Sequence, residues 1–439
     1  MSRPRTVSRG GALPVTARRV AARVVERVER DRAYLAPALD AELARNPVLD
    51  GRDRALATEL AYGVVRTAPA LTRRIERFAK RPLARTEGAV RAHLLVAAYQ
   101  LSFSERIPPF AVVSEAVQAI RDQGGAAAAG FANVVLRKLA AAADPLALRD
   151  AVLQSVPRWL YDALVASSGV GEARALVGAD AMPPPFTVRP VAGAPLPEEL
   201  ANGEPAPGVS GARRLRKAGD LRKLAGFAEG KFVVQEAGAQ LVALALGARH
   251  GERVLDACTG RGGKALLLSE RVGSSGTLAL ADLHPQKLEQ AAREFARLGL
   301  AEPQRYAVDW AAGSGEVPEG FDRVLVDAPC SGTGTLRRRP EIMRRLEPED
   351  PARIARQSAA ILRAAALRAR KGGCVVFAVC SVLPVECEAV VDSVADCLEP
   401  EHFDAPELEA LGVRGTARIR LLPLAHGTDG FFIARFRRR

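Results

Sequence analysis

From residue 253 onward the chain alternates two patterns that no single kind of element can satisfy. Short apolar runs occupy residues 253–258, 277–282, 305–309, 323–327 and 374–380. Longer stretches of helical period, such as 285–298 and 350–370, lie between them. Neighbouring parallel strands need a crossover of a dozen or more residues, commonly a helix. Strand and helix in alternation therefore predict a parallel sheet with helices on both faces. In such a sheet, ligands bind beyond the carboxyl ends of the strands. Two last runs, 418–422 and 430–437, read as antiparallel strands.

The first part of the chain has a different period. In residues 17–30, Val20, Val24, Val25 and Val28 fall on one helical face. Residues 53–65 repeat this with Leu56, Leu60, Ala61 and Val64, and 89–103, 111–121 and 131–143 follow. Gly51, Pro82, Pro108-Pro109 and Gly124-Gly125 punctuate them. The expected architecture is multidomain. Residues 1–16 read as a disordered basic lead-in and 17–143 as an all-α bundle of five to seven helices. Residues 144–230 read as a small α/β linking module, with two short helices in 159–177 and a strand at 186–190. Residues 231–439 read as an α/β Rossmann-like domain.

Composition narrows the partners. Sixty-three Lys and Arg against 50 Asp and Glu leave a net charge of +13. That balance fits a polyanion, nucleic acid first, against the plainer reading of a solvated basic face. No run of ~18 apolar residues predicts a membrane span, and the N-terminus lacks a signal-peptide pattern. The six cysteines lie in the C-terminal half, form no CxxC pair, and accompany only five scattered histidines. Neither a metal site nor a disulfide framework is expected. A cytoplasmic monomer with free thiols is.

The loop after the first C-terminal strand reads Cys258-Thr259-Gly260-Arg261-Gly262-Gly263-Lys264-Ala265. Small residues let backbone approach a ligand, although a tight strand-to-helix turn uses them too. The spacing is not GxGxxG, and Ala265 replaces the hydroxyl that a phosphate loop needs for magnesium. S-adenosylmethionine requires neither pyrophosphate binding nor magnesium and fits better than NAD or ATP. Asp282 ends the next run, where a carboxylate accepts from ribose hydroxyls. Asp309 ends the third and is placed for the adenine amine.

Two cysteines fall at neighbouring strand ends, in Asp327-Ala328-Pro329-Cys330-Ser331-Gly332-Thr333-Gly334 and in Val379-Cys380-Ser381. Carbon 5 of cytosine is too poor a nucleophile to take a methyl group directly. A thiolate adding to carbon 6 turns the ring into an enamine whose carbon 5 attacks. Asp327 is a candidate for holding the N3 proton or the amino group, and a second group is useful for product release. Lys264 either meets the base or makes a plain salt bridge. Arg337, Arg338 and Arg339 follow the Cys330 loop as a candidate RNA phosphate contact, with solvated surface as the alternative.

These motifs, with His426-Gly427-Thr428-Asp429-Gly430-Phe431-Phe432, resemble the Sun-type (RsmB-like) bacterial RNA cytosine-5 methyltransferases. The helical part, with Arg52-Asp53-Arg54 and residues 131–137, resembles a NusB-type RNA-binding domain. The domain order is similar to the family's 16S ribosomal RNA enzyme. The resemblance implies that Cys380 is the nucleophile and Cys330 assists product release. It also implies that residues 258–264, Asp282, Asp309 and Asp327 line the S-adenosylmethionine site. Thr259, Gly260, Arg261 and Ala265 depart from the family's usual Cys-Ala-Ala-Pro-Gly-Gly-Lys-Thr loop, and Val379 stands where Thr is common. No reacting group is lost. The same chemistry on transfer RNA, or a non-catalytic RNA-binding or assembly factor, are the alternatives.

Overall fold

The computed structural model describes residues 15–142, 144–180, 183–191, 193–216 and 219–439. They form two compact units. One runs to Ser155 and includes Arg339–Glu341; the other comprises Val156–Arg338 and Ile342–Arg439.

The first unit is helical. Helices α1 (Ala17–Arg30), α2 (Leu35–Arg45), α3 (Gly51–Ala79), α4 (Gly88–Phe103), α5 (Pro109–Ala140) and α6 (Leu148–Leu153) build it. The α1 valines named above are all buried. Of the expected lead-in, residues 1–14 lie outside the described residues, and Thr16 caps α1 by accepting from the Arg19 N–H at 3.3 Å. Helix α2 is one that apolar spacing did not single out. Helix α3 runs well past Val65 because Leu71 and Ile75 keep the buried stripe going through Pro69. The residue after that proline is satisfied from outside the helix: Ala70 N–H donates to Ser155 Oγ at 3.2 Å. Gly125, at φ 77°, kinks α5 where a break was expected. Within this unit Leu35 N–H donates to Glu341 Oε1 at 3.3 Å. The Arg339 guanidinium lies 5.2 Å from the centre of the Tyr34 ring.

The second unit opens with α7 (Arg158–Val177), which Gly169 divides as the sequence predicts. A small antiparallel sheet follows, built from β1 (Phe186–Pro190), β2 (Glu204–Pro205), β3 (Arg213–Leu215) and β4 (Phe232–Val234) in the order β2-β3-β1-β4. Two single-turn helices, α8 (Glu198–Ala201) and α9 (Ala225–Ala228), accompany it.

The main sheet contains β5 (Arg253–Asp256), β6 (Thr277–Asp282), β7 (Gln304–Ala307), β8 (Phe321–Asp327), β9 (Ala369–Val379), β10 (Leu398–Pro400), β11 (Arg418–Leu421) and β12 (Phe431–Arg438). Its order is β10-β12-β9-β8-β5-β6-β7, with β11 also on β12. Strands β5 to β9 are parallel, and β12 joins β9 antiparallel. Thus the Rossmann-like expectation holds, with an antiparallel edge added. Helices α10 (Ala237–Ala245), α11 (Gly263–Val272) and α12 (Pro285–Arg297) pack one face through Leu241, Leu266 and Phe295. Helix α13 (Asp350–Ala366) covers the other with Leu362 against Phe377 and Phe432. The third strand is shorter than read from sequence: β7 stops at Ala307, so Asp309 lies two residues beyond it.

The chain passes from β6 and β7 on one side of β5 to β8 on the other. That switch opens the crevice where the β5 and β8 loops emerge. Backbone crosses backbone there: Gly334 N–H donates to Cys380 O at 3.0 Å and Gly430 N–H to Gly334 O at 2.8 Å. A Cβ on Gly334 would sit 2.0 Å from the Gly430 carbonyl oxygen. Gly334→Ala is therefore expected to lower the unfolding free energy by at least about 2 kcal/mol. Gly171→Ala, whose Cβ would meet only Leu424 Cδ1 at 3.6 Å, is the control and should be neutral or slightly stabilising in the same denaturant titration.

Candidate active site

The loop between β5 and α11 is fastened at every turn. Ala257 N–H donates to Leu325 O (2.8 Å) and Thr259 N–H to Ala281 O (2.9 Å), tying it to strands on both sides. Thr259 Oγ1 donates to Asp256 Oδ2 (2.8 Å), and Gly260 N–H to Asp282 Oδ2 (2.9 Å). Gly260 and Gly262 have φ of 56° and 85°, which L side chains rarely adopt. A Cβ on Gly262 would also press Ala291 Cβ at 2.8 Å. The glycines are thus required by backbone shape as well as by access. Asp282 also accepts from His284 N–H (2.9 Å) and lies 3.4 Å from Lys287 Nζ.

Asp256 is fully buried, and burial pushes its carboxyl up to about 7 against the pull of Thr259 and Lys264. Its Oδ1 has no hydrogen-bond partner among the described residues. A glycine-lined loop with an orphaned carboxylate oxygen at its base fits a nucleoside bearing a cationic amino-acid tail. Lys264, the second residue of α11, pairs with Asp327 at the end of β8. Burial works against its charge, but the Asp327 and Asp256 carboxylates outweigh that and hold its pKa above the ordinary lysine value.

The two cysteine loops leave β8 and β9, which pair so that Asp327 stands opposite Ala378. Cys330 Sγ and Cys380 Sγ are 3.4 Å apart, and both residues remain partly accessible. The hydrogen bond to Cys380, then burial, raises the Cys330 thiol well above its ordinary value. Burial pushes Cys374 to about 11 and raises Cys258, Cys387 and Cys397.

A family model described as 16S rRNA methyltransferase RsmB/F matches residues 243–437, and a NusB family model matches 15–141. A "Probable ribosomal RNA small subunit methyltransferase B" of Bacillus subtilis is 31% identical, over 96% of this chain and 98% of that one. A "Ribosomal RNA small subunit methyltransferase B" of Xylella fastidiosa is 34% identical, over 98% of each. The chain belongs to the RsmB/F methyltransferase family. Among solved structures, PH0851 superposes with a TM-score of 0.78 at 18% identity, over 97% of this chain and 99% of that one. NSun6 from Pyrococcus horikoshii, solved with SFG, gives 0.55 at 16% identity, over 65% of this chain and 99% of that one. These two share the fold.

As an RsmB/F-family enzyme, the protein is an S-adenosylmethionine-dependent RNA methyltransferase. The structure brings Cys258, Thr259, Gly260, Gly262, Gly263, Lys264, Asp282 and Asp327 around one crevice with the two cysteines. Arg261 is exposed on the loop. Asp309 is exposed, with Oδ1 accepting from Ala311 N–H at 3.0 Å. Lys264 makes the salt bridge that the sequence left as one of two options. The arginine run, read as a phosphate patch, is divided. Arg337 is buried, with Nε donating to Asp429 Oδ1 at 2.5 Å. Arg338 donates to Asp429 Oδ2 (2.6 Å) and Pro185 O (2.9 Å). Arg339 stacks on Tyr34. Arg337 is corrected from surface contact to internal ion pair, because the buried Asp429 carboxylate needs a cation.

Sequence reading gave no site role to three acids. Asp256 ends an apolar strand, which was a usable signal. Glu236 accepts from Asp429 N–H (2.9 Å) and caps α10 through Ala239 N–H (3.0 Å). Glu386, an acid within Leu383-Pro384-Val385-Glu386-Cys387, is buried between the cysteine loops. Asp282→Ala should release the Gly260 N–H. Hydrogen exchange in residues 258–262 should then accelerate by at least about tenfold while the β8 amides stay protected; unchanged exchange would mean that Asp282 does not fasten the loop.

Proposed function

We propose that the protein transfers a methyl group from S-adenosylmethionine to carbon 5 of a cytosine in 16S ribosomal RNA, in the cytoplasm, through a covalent adduct with Cys380. The carrying observation is the Cys330–Cys380 sulfur pair, 3.4 Å apart and one strand from the Lys264–Asp327 ion pair. The choice of 16S RNA draws on the names of the full-length relatives. The cofactor, when bound, supplies an electrophilic methyl group. Residues 258–264, with Asp282 and Asp309, would hold it.

The roles follow from the chemistry of each group. The Cys380 thiolate adds to carbon 6, and N3 takes up a proton from solvent as the ring electrons move. Asp327 is an acceptor for the base's amino group and for that N3–H, while Lys264 supplies positive charge to the carbonyl side and to the thiolate. Carbon 5 then takes the methyl group. Loss of the carbon 5 proton to solvent restores the ring as the bond from sulfur to carbon 6 breaks, and N3 returns its proton to solvent. Cys330, whose sulfur lies 3.4 Å from the Cys380 sulfur, can donate its S–H to the departing thiolate. The distinction between the two cysteines rests on the family resemblance. For RNA contact, we keep Arg338 and Arg339, which are partly exposed, and give Arg337 the task of holding Asp429.

Cys380→Ala should lower tritium transfer from labelled S-adenosylmethionine by at least about 10³-fold and yield no covalent RNA adduct. Cys330→Ala should instead accumulate an adduct that survives denaturing electrophoresis. The reverse pattern would exchange the two roles. Bisulfite sequencing with and without the gene should show one lost site in 16S RNA; a lost transfer-RNA site would overturn the substrate.

A further inference from the structure

The two cysteines sit on separate loops, Cys330 three residues beyond β8 and Cys380 one residue beyond β9, and strand pairing alone does not fix where their side chains point. Yet the two sulfurs are in contact. Their neighbours in sequence account for this. Glu386 Oε1 accepts from Ser331 N–H at 2.6 Å. Glu386 Oε2 accepts from Ser331 Oγ at 2.5 Å and from Ser381 Oγ at 2.6 Å. Ser331 follows Cys330, and Ser381 follows Cys380. One carboxylate therefore clamps the residue after each sulfur. Thr333 Oγ1, 2.9 Å from Ser381 Oγ and accepting from Val382 N–H at 3.3 Å, completes a network in which each hydroxyl has one acceptor.

Glu386 is 1% exposed, and no cation pairs with it among the described residues. Burial pushes its carboxyl up, and the Ser331 and Ser381 donors draw it back. A buried acid is costly unless its lone pairs are filled. A purely apolar staple would be cheaper, so the carboxylate's value lies in accepting three bonds from two loops at once.

We propose that Glu386 is a positioning residue that holds the Cys330 and Cys380 loops, and hence the two sulfurs, in mutual register. It touches neither reacting atom. Its effect on turnover rests on the cysteine chemistry proposed above; its effect on sulfur geometry does not. Glu386→Gln preserves volume, but its amide oxygen cannot accept from all three donors. Ser381→Ala removes one arm of the clamp and leaves the carboxylate.

The test reads sulfur register without RNA. Diamide oxidises two adjacent thiols: both S–H bonds break, one S–S bond forms, and diamide takes up the two hydrogens. Formation of the Cys330–Cys380 bond is followed by peptide mass spectrometry in the full-length protein. The wild type should crosslink readily. E386Q should crosslink at least about tenfold more slowly, and S381A should fall between, because adjacent loops lose their shared acceptor. S-adenosylmethionine affinity should change by less than about twofold, since no cofactor-loop contact is altered. In RNA methylation, kcat of E386Q should fall about 10- to 100-fold with KM for RNA unchanged. Crosslinking at the wild-type rate in both variants overturns the proposal, and S381A decides if E386Q does not fold. Slowed crosslinking with unchanged kcat supports the positioning role and instead overturns the cysteine mechanism.

Discussion

The parallel pairing of β8 with β9 sets Asp327 opposite Ala378. The loops leaving both strands therefore begin one strand spacing apart, about 4.8 Å. Every feature of the crevice depends on that start. The loops of Cys330 and Cys380 leave from adjacent points, and Asp327 reaches Lys264 because β8 is also the neighbour of β5. The antiparallel strand β12 adds the third wall. It enters from Gly430, whose backbone lies directly on Gly334.

Charge in this region is arranged around acids. Asp256, Asp282, Glu386 and Asp429 are all buried. Only Asp429 has two arginines directly on it, Arg337 and Arg338. Backbone N–H groups and hydroxyls fill much of what remains: Thr259 on Asp256, Gly260 and His284 on Asp282, Ser331 and Ser381 on Glu386. Short donors fixed on loops hold a carboxylate without bringing a flexible cation into the crevice. Lys264 is thereby the cation that stands beside the cysteine pair, and the acids around it keep it charged.

Much of this was legible in order along the chain. The periodicity of α1, the break at Gly125, the two helices within 159–177 and strand β6 followed from spacing and backbone chemistry, which are local. The continuation of α3 through Pro69 was not, because Ser155 satisfies the backbone there from 85 residues away. Asp309 was read as the end of a strand over 305–309, but pairing with β6 stops at Ala307. The arginine run looked like surface because charge in sequence carries no sign of its partner; Asp429 lies 92 residues from Arg337.

The sequence by itself determined the family, the Rossmann-like alternation, the glycine loop and the two cysteines, since each is written in residues a few positions apart. Only the tertiary structure decided that the sulfurs touch, that Lys264 belongs to Asp327, that Arg337 faces inward, and that Glu386 joins the cysteine loops. The physical reason is that hydrogen bonds and ion pairs form between whatever groups the fold makes adjacent. Adjacency across β8, β9 and β12 is set by sheet order, which no local pattern encodes.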